Sequence, residues 1–218
     1  MGLFLVIGMG RFGSSIAAEL YRMKHEVLAL DEHEENIADI VNQVTDVVIG
    51  DAKDEAVLNT LNIYSYDCVI VAMAGAIEDS ILTTMTLKEL GAKSIICKAQ
   101  NDRHAKILSL IGVDKVINPE HDMGIRVAHS LVHKNITDFL EISPEYGIME
   151  IATPQQWANK SIGKNDLRKK YGVTVIAIRN AGTDEVNFSP KPDAILNEND
   201  VLSVLGSKRE LDIIGDLK

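Results

Sequence analysis

The sequence predicts an α/β fold: a Rossmann-type, doubly wound parallel sheet followed by a second, smaller α+β domain. Three observations support this prediction. Apolar runs alternate with helical patterns over the first two-thirds of the 218 residues. A glycine-rich turn joins the first apolar run to the first helical pattern. The alternation stops near residue 135, so we expect one domain at residues 1–136 and another at residues 137–218.

Six strands, each followed by a helix, account for the first domain. The apolar runs are short and rich in Val, Ile, Leu and Ala, which is typical of parallel strands buried on both faces. Right-handed crossovers between such units give the Rossmann strand order. The predicted strands cover residues 3–7, 27–30, 47–49, 68–72, 95–98 and 116–118, and the predicted helices cover residues 12–23, 34–41, 54–61, 77–90, 102–110 and 122–134.

The second domain shows weaker patterns. Turn-rich segments at residues 180–183 and 189–192 interrupt its apolar runs, which favours a small mixed domain over further βα units. Its predicted elements are strands around residues 147–151, 173–179 and 201–205 and a final helix at residues 208–214.

The charge balance argues against a nucleic-acid partner. The formal net charge is −10. Residues 1–136 carry 12 cationic and 19 acidic side chains, and residues 137–218 carry 10 and 13, so neither domain is basic. No apolar run approaches the ~20 residues that span a bilayer, and we recognise no signal peptide. The two cysteines, Cys68 and Cys97, fall in predicted strands as reduced core thiols. We therefore expect a cytoplasmic protein.

The glycine-rich turn has the spacing of a phosphate-binding loop. Gly8 permits the tight turn, Gly10 lets the backbone approach phosphates, and Gly13 lets the helix pack closely on the strand. The helix that follows offers free N–H groups and the positive end of its dipole to an anion. The spacing alone is a weak signal, but its position between a strand and a helix strengthens it.

Two charged residues bear on the choice of ligand. Asp31 ends the second strand, 18 residues after Gly13, where an acid hydrogen-bonds ribose hydroxyls. Because a 2′-phosphate would meet this negative charge, NADP is disfavoured. Arg11 lies at the positive end of the first helix dipole, which is unfavourable without a nearby anion. It either contacts a phosphate or points away into solvent. These residues predict a site for an adenine nucleotide or dinucleotide.

Further candidates follow later strands, where ligands bind in such sheets. Asp51 either bonds an adenine amino group or, by default, caps the next helix. Lys98 either reaches a phosphate or is a solvated strand end, and Glu120 either caps a helix or bridges a metal and a phosphate. His129 and His133 have the spacing of a helical zinc site, but without a third ligand an exposed helix face is favoured. We also assign to this site Phe12, Glu32, Ala52, Ala72, Met73 and Ala74.

A second candidate site lies in the C-terminal domain. Arg179 ends an apolar strand just before a glycine turn, where a cation is well placed to hold a phosphate. Ile178 would pack on a base, and Asn187 and Pro190 would complete the wall. The alternative is that Arg179 is a solvated residue closing a hairpin.

Eight segments together resemble one family over essentially the whole chain. The resemblance is to the regulatory subunits of Ktr- and Trk-type potassium uptake systems, the RCK or TrkA family. The Arg-Phe pair inside the glycine loop is its most specific feature. The segments are residues 6–13 (VIGMGRFG), 69–72 (VIVA), 80–84 (SILTT), 87–91 (LKELG), 98–100 (KAQ), 111–114 (IGVD), 119–124 (PEHDMG) and 168–172 (RKKYG).

The resemblance implies a non-enzymatic sensor. Such proteins have an N-terminal Rossmann subdomain that binds ATP or ADP, in some cases NAD or NADH, and a C-terminal RCK subdomain. They form homodimers that assemble into a ring, an octamer, beneath a membrane potassium channel subunit at the inner face of the membrane. A redox-sensing repressor is one rival class, but it would need a DNA-binding helix pair with a basic face, which the sequence does not show. The other rival class is an NAD-dependent oxidoreductase. It is disfavoured because the chain lacks a Tyr-x-x-x-Lys pair and an obvious His–carboxylate pair.

The resemblance also assigns roles to individual residues. A divalent or monovalent cation is implied near the nucleotide phosphates, and cyclic di-AMP is implied at the C-terminal dimer interface, at residues 178–179, 187 and 189–190. Residues 73–74 are Met-Ala where relatives often have Ile-Gly, and some relatives have Asn at position 51. The assigned roles are Arg11 on the ATP phosphates across the dimer, Asp31 on ribose, Asp51 and Ala52 on the base, Lys98 and His104 as further polar contacts, and Glu120 on the cation.

Overall fold

Six parallel strands form the sheet at the centre of the first 119 residues. The computed structural model describes residues 1–73, 75–132, 135–183 and 185–217 and, of residues 129 and 130, the backbone only. The strands are β1 (Leu3–Ile7), β2 (Glu26–Asp31), β3 (Asp46–Ile49), β4 (Cys68–Val71), β5 (Ile95–Lys98) and β6 (Lys115–Ile117). Their order, β3-β2-β1-β4-β5-β6, confirms the predicted doubly wound Rossmann topology. The order reverses between β1 and β4.

Helices cover both faces of this sheet. Alternate residues of β1 pack into two different apolar clusters, with Leu5 and Ile7 in one and Val6 in the other. Burial of both faces explains why the strands are nearly continuous apolar runs. The helices are α1 (Arg11–Arg22), α2 (Glu34–Ile40), α3 (Glu55–Thr60), α4 (Ile77–Glu89) and α5 (Asp102–Ile111).

The remainder of the chain is built on an antiparallel sheet. Its strands are β7 (Ile136–Glu141), β8 (Tyr146–Ala152), β10 (Thr174–Arg179), β11 (Val186–Phe188) and β13 (Val201–Ser207), and β9 (Lys160–Ser161) pairs separately with β12 (Ile195–Leu196). The five-stranded sheet has the order β11-β10-β13-β8-β7. This confirms the smaller α+β domain. Its helices are α6 (Pro119–Val132), α7 (Ile162–Asn165), α8 (Leu167–Tyr171) and α9 (Lys208–Gly215).

Several elements differ from the sequence prediction. The elements that were not predicted are β7, β9, β11, β12, α7 and α8. Strand β7 was not predicted, because an irregularity in its pairing between Ile136 and Asp138 breaks the two-residue alternation of buried positions. Helix α6 begins at Pro119, three residues earlier than predicted. Proline is tolerated in the first turn of a helix, where its missing N–H would have no partner.

The chain divides into two compact units, Met1–Pro119 and Glu120–Lys218. The sequence placed this boundary after residue 136. Helix α6 accounts for the difference, because its Arg126 donates two hydrogen bonds to the carboxylate of Asp138 on β7. This contact joins α6 to the second unit.

A buried carboxylate holds two turns of the second unit together. Asp200 is 2% exposed. Its Oδ1 accepts a hydrogen bond from the Ala181 backbone N–H at 3.0 Å, and its Oδ2 accepts from the backbone N–H and side-chain amide of Asn197 at 3.0 and 2.9 Å. These bonds offset the cost of burying the charge.

Replacing this carboxylate tests its structural role. Asp200→Asn places an amide donor among N–H donors, so we expect a loss of about 2 kcal/mol in the free energy of unfolding. Urea unfolding followed by circular dichroism measures the loss. Asp193→Asn, at an exposed position, is the matched control. Equal unfolding midpoints for the two variants would contradict this role.

Candidate functional site

A cleft opens at the carboxyl ends of β1, β2 and β3, beside the point where the strand order reverses. Ligands bind at this position in doubly wound sheets. Of the residues assigned from the sequence, the cleft brings together Gly8, Gly10, Asp31, Glu32, Asp51, Ala52 and Met73. The residues that line it but were missed are Ile7, Leu30, His33 and Asn36. Gly50, a sequence candidate at the end of the third strand, also lines it.

The three glycines of the loop occupy structurally different positions. Gly8 has φ +91°, and a Cβ there would lie 2.9 Å from the backbone of Met73. A Cβ on Gly13 would overlap the carbonyl oxygen of Gly8. A Cβ on Gly10 would meet nothing within 4 Å. The fold therefore requires the first and third glycines, whereas the second leaves open space at the cleft.

Asp31 connects the end of β2 to the glycine loop. Its Oδ2 accepts a hydrogen bond from the Met9 backbone N–H at 2.6 Å. Its Oδ1 accepts from the His33 backbone N–H at 2.8 Å and from the Asn36 side-chain amide at 3.1 Å. The sequence offered only a weak indication of the contacts from His33 and Asn36. Both are polar residues that follow Asp31 closely, by two and five positions.

These hydrogen bonds keep Asp31 ionised. Its burial, with 8% of its surface exposed, acts to raise the pKa. The hydrogen bonds from His33, Met9 and Asn36 outweigh burial, so the pKa of Asp31 lies below its usual value. Because Oδ2 accepts one of these bonds and a carboxylate oxygen has two lone pairs, it can also accept a ribose hydroxyl. A 2′-phosphate would meet a carboxylate that stays charged.

Asp51 does not cap the helix that follows it, so the default prediction for this residue was wrong. The N-cap of α3 is Asp54, whose carboxylate accepts a hydrogen bond from the Ala56 N–H at 2.8 Å. Asp51 instead accepts a bond from the Lys53 backbone N–H at 2.9 Å and lines the cleft. The Lys53 ammonium lies between Asp51 and Asp79, at 3.6 and 3.3 Å.

Arg11, Phe12 and Lys98 lie near the glycine loop but do not line the cleft. Arg11 is exposed at the first position of α1, and it forms no ion pair with another described residue. The Lys98 ammonium lies 5.9 Å from the centre of the half-buried Phe12 ring, within range of a cation–π contact. Gly13 packs inside the loop, and Ala72 is buried, donating its N–H to the Ile7 carbonyl at 2.8 Å. Ala74 lies outside the described residues.

His104 is fully buried rather than exposed to the cleft. Its Nδ1 accepts a hydrogen bond from the Gln100 backbone N–H at 3.3 Å, and burial lowers its pKa. The Gln100 side chain donates to the Gly75 carbonyl at 2.8 Å. His104 therefore supports the loop that follows β5, which in turn contacts the loop that follows β4.

The candidate metal ligands lie in the second unit. Glu120 occupies the first turn of α6, inside the helix. Across residues 1–73, 75–132, 135–183 and 185–217, no group of three or more His, Cys, Asp or Glu side chains could hold a metal ion. His133 and the side chain of His129 are not among the described groups.

The four residues assigned to the C-terminal site differ in how deeply they are buried. The Arg179 guanidinium donates to Oε2 of Glu150 at 2.8 Å, and 39% of its side-chain surface stays exposed. Ile178 is 2% exposed and packs in the domain core, which leaves no surface for a base. Asn187 is exposed opposite Ile178 on β11, and Pro190 is half-buried.

None of the helices in the described ranges is long and apolar enough to cross a bilayer.

Family models match both units. The TrkA-N domain model matches residues 4–119 and the TrkA-C domain model matches residues 146–216. Ktr system potassium uptake protein A of Bacillus subtilis is 43% identical over 95% of this chain and 93% of its own length. Protein C of the same organism is 42% identical over the same shares, and Ktr protein A of Vibrio alginolyticus is 31% identical over 95% of this chain and 94% of its own.

Solved structures share the fold. The GsuK RCK domain superposes with a TM-score of 0.68 at 20% identity, over 99% of this chain and 47% of the GsuK chain. The GsuK channel bound to NAD gives 0.66 at 20% identity, and this chain spans 39% of that chain. The AMP-bound Kef C-terminal domain of Shewanella denitrificans gives 0.52 at 19% identity, over 60% and 79% of the two chains. This chain thus spans less than half of the GsuK chains.

Both family models match, and a Ktr protein is 43% identical over nearly the whole chain. These similarities agree with the observed Rossmann sheet and its glycine-loop cleft. The chain therefore belongs to the TrkA (RCK) family, the regulatory subunits of Ktr- and Trk-type potassium uptake systems.

Proposed function

We propose that this chain is the nucleotide-sensing gating subunit of a bacterial potassium uptake system and that ATP or ADP binds in its glycine-loop cleft. The observation that carries the proposal is the convergence of Gly8, Gly10 and Asp31 at the switch point of the sheet. The high identity to Ktr potassium uptake proteins supports the role in transport. NAD or NADH is the alternative ligand.

The cleft fits the adenosine 5′-phosphate portion that all these ligands share. Phosphates would lie against the open face of Gly10 at the start of α1, where N–H groups and the helix dipole attract anions. The ribose would bond Oδ2 of Asp31, and the base would lie beside Asp51 and Ala52. GsuK with NAD and the Kef domain with AMP are folds of this kind with such ligands bound.

Three residues outside the cleft have proposed roles toward the phosphates. Arg11, exposed at the start of α1, would contact the phosphates of a nucleotide bound to the partner in a dimer. Lys98, beside Phe12, would add a second cation. Glu120 would hold a divalent or monovalent cation whose remaining ligands are phosphate oxygens.

Gating requires that the ligand bind the two conformations of the assembly with different affinities. We therefore propose binding without chemical conversion of the nucleotide. An NAD-dependent oxidoreductase is the competing function. Incubating the chain with NADH and a panel of aldehydes and ketones separates the two, since turnover of NADH at 340 nm is expected only for the oxidoreductase.

Two exposed apolar faces support self-association. Met123, Val127 and Leu131 recur every four residues on α6 and are 52%, 48% and 77% exposed. Leu82 and Met85 on α4, with Leu110 on α5, form another exposed set. We propose a homodimer that assembles into a ring, an octamer, under the membrane channel subunit at the cytoplasmic face. Two faces allow both a closed pair and a ring.

Cyclic di-AMP binding by the second unit stays a prediction of the family resemblance. A ligand phosphate at Arg179 would have to compete with the Glu150 carboxylate, which already accepts a hydrogen bond from it. Asn187, Ser189 and Pro190 retain accessible surface, and so does the Arg179 side chain.

The glycine loop provides the central test of nucleotide sensing. Gly10 has φ −66° and ψ −178°, which alanine adopts without strain, and its Cβ would occupy only open space. We expect Gly10→Ala to keep the stability of the protein but weaken ATP binding about tenfold or more, because the methyl blocks the approach of phosphate. Calorimetric titration with ATP and potassium uptake through the reconstituted channel subunit measure the two effects. Unchanged ATP affinity in a folded Gly10→Ala protein would contradict the proposal.

Gly13→Ala is the matched variant at a position that the fold requires. Because its Cβ overlaps the Gly8 carbonyl oxygen, we expect a loss of about 3 kcal/mol or more in the free energy of unfolding. The urea unfolding midpoints of Gly13→Ala and Gly10→Ala show which glycine is needed for stability and which for ligand binding. Equal unfolding midpoints would show that the loop relaxes around Gly13, and the distinction between the two positions would fail.

Asp31 predicts discrimination against a 2′-phosphate. We expect NADPH to bind at least about tenfold more weakly than NADH, because its phosphate dianion meets an ionised carboxylate. In Asp31→Asn, which removes the charge, the ratio of the two dissociation constants should fall toward one. Fluorescence titration of both cofactors measures the ratio, with thermal unfolding as the control for folding. NADPH as the tightest ligand of the wild type would refute this role.

The apolar face of α6 predicts the state of assembly. We expect Val127→Asp/Leu131→Asp to lower the mass of the assembly at micromolar concentration, because two charges replace apolar contacts on one of its two proposed faces. Light scattering gives the mass. Tyr64→Asp, at another exposed position, should leave the oligomer intact. A wild-type protein that is monomeric throughout this range would exclude a ring.

A further inference from the structure

A cationic segment of the second unit has no part in the proposed nucleotide site. Helix α8 carries Arg168, Lys169 and Lys170 in succession within its five residues. All three side chains are exposed. This concentration of positive charge contrasts with the formal net charge of −10 for the whole chain.

Helix α9 adds a fourth cation to the same surface. Arg209 lines one cleft with the three cations of α8, and we refer to this surface as the α8–α9 cleft. Arg209 is the second residue of α9, near the positive end of the helix dipole, where a cation is destabilising unless an anion lies nearby. The other residues that line the α8–α9 cleft are Tyr171, Gly172, Ser207, Glu210 and Ile213.

No ion pair neutralises these four cations within the described parts of the chain. Their neighbours in the same unit behave differently. The Lys208 ammonium lies 2.9 Å from a carboxylate oxygen of Glu141, and the Arg179 guanidinium lies 2.8 Å from one of Glu150. These two cations thus have acidic partners, whereas the four of the α8–α9 cleft form no ion pair with a described residue.

The carboxylate in the cleft is committed to the start of α9. Oε2 of Glu210 accepts hydrogen bonds from the backbone N–H and the hydroxyl of Ser207, at 2.9 and 2.7 Å, which closes a capping box. The carboxyl also packs against Gly172, where φ is +75° and a Cβ would overlap it. With four cations and this carboxylate, the lining carries a net charge of +3.

We propose that the α8–α9 cleft binds a multiply charged phosphate anion. Two guanidinium groups, from Arg168 and Arg209, offer planar pairs of donors that match phosphate oxygens, and the two ammonium groups add charge without fixed geometry. A net charge of +3 suits a pyrophosphate or phosphate-ester group better than a single carboxylate. The site lies entirely within the second unit and does not depend on the nucleotide cleft.

Lysine footprinting of the full chain tests the proposal at the site itself. Acetylation by N-hydroxysuccinimidyl acetate is followed by mass spectrometry, with inorganic pyrophosphate as the probe. We expect pyrophosphate to slow acetylation of Lys169 and Lys170 about fivefold or more, since bound phosphate occludes the amines. Lys164 and Lys191, exposed in the same unit but outside the cleft, should change less than about twofold because they experience only ionic screening.

A pair of charge-matched variants provides the second readout. Arg168→Gln/Arg209→Gln should weaken pyrophosphate binding about tenfold or more in calorimetry, because each removes a charge-assisted donor. Lys164→Gln/Lys191→Gln removes the same charge elsewhere and should retain the affinity within about twofold. Thermal unfolding of both confirms that they are folded.

Vesicles distinguish the source of the phosphate. Protection of Lys169 and Lys170 by pyrophosphate alone identifies a free phosphate ligand. Protection by phosphatidic acid vesicles, whose phosphate monoester can carry two charges, and not by phosphatidylcholine vesicles or pyrophosphate, identifies a lipid headgroup. Protection by neither overturns the proposal. Equal protection of all four lysines, or the same protection by sodium chloride at matched ionic strength, also overturns it.

Discussion

The hydrogen bond from the Met9 N–H to the Asp31 carboxylate fixes the geometry of the nucleotide cleft. It joins the turn after β1 to the end of the neighbouring strand. A buried charge is costly unless donors surround it, and the loops supply those donors. Because the pKa of Asp31 is lowered in the fold, its contribution to stability is present above the unfolded pKa of about 3.9 and is lost as pH falls through the folded value. The residue proposed to bind ribose thus also holds the glycine loop in place.

Steric requirements divide the glycine loop into two structural positions and one open position. Gly8 and Gly13 approach the backbone of Met73 and the Gly8 carbonyl, so they are needed whether or not a ligand is present. Gly10 has an ordinary backbone conformation and no neighbour at its Cβ. The loop is therefore already shaped for phosphate, and less of the binding free energy is spent on ordering it.

The sequence predicted the features that depend only on residues close together in the chain. Strand periodicity, the glycine spacing and the acid after β2 predicted the six-stranded sheet and most of the cleft. Strand β7 was not predicted because its irregular pairing with β8 removes the alternation of buried and exposed residues. The capping role given to Asp51 was wrong because Asp54, three residues later, is the better placed cap. The burial of His104 and of Ile178 depends on packing by distant segments, which no spacing rule encodes. The α8–α9 cleft likewise requires two segments more than thirty residues apart to meet.

The two clefts attract anions by different physical means, and salt affects them differently. In the first, oriented N–H groups and a buried, hydrogen-bonded carboxylate select shape and hydroxyl groups, and burial protects these contacts from screening. In the second, exposed ammonium and guanidinium groups supply charge with little geometric constraint, and their attraction falls once the Debye length shortens to about 8 Å at physiological ionic strength. In its proposed role in potassium uptake, the chain would meet a changing ionic strength. Occupancy of the second cleft would therefore respond to accumulated salt, whereas the first would report nucleotide with little dependence on it.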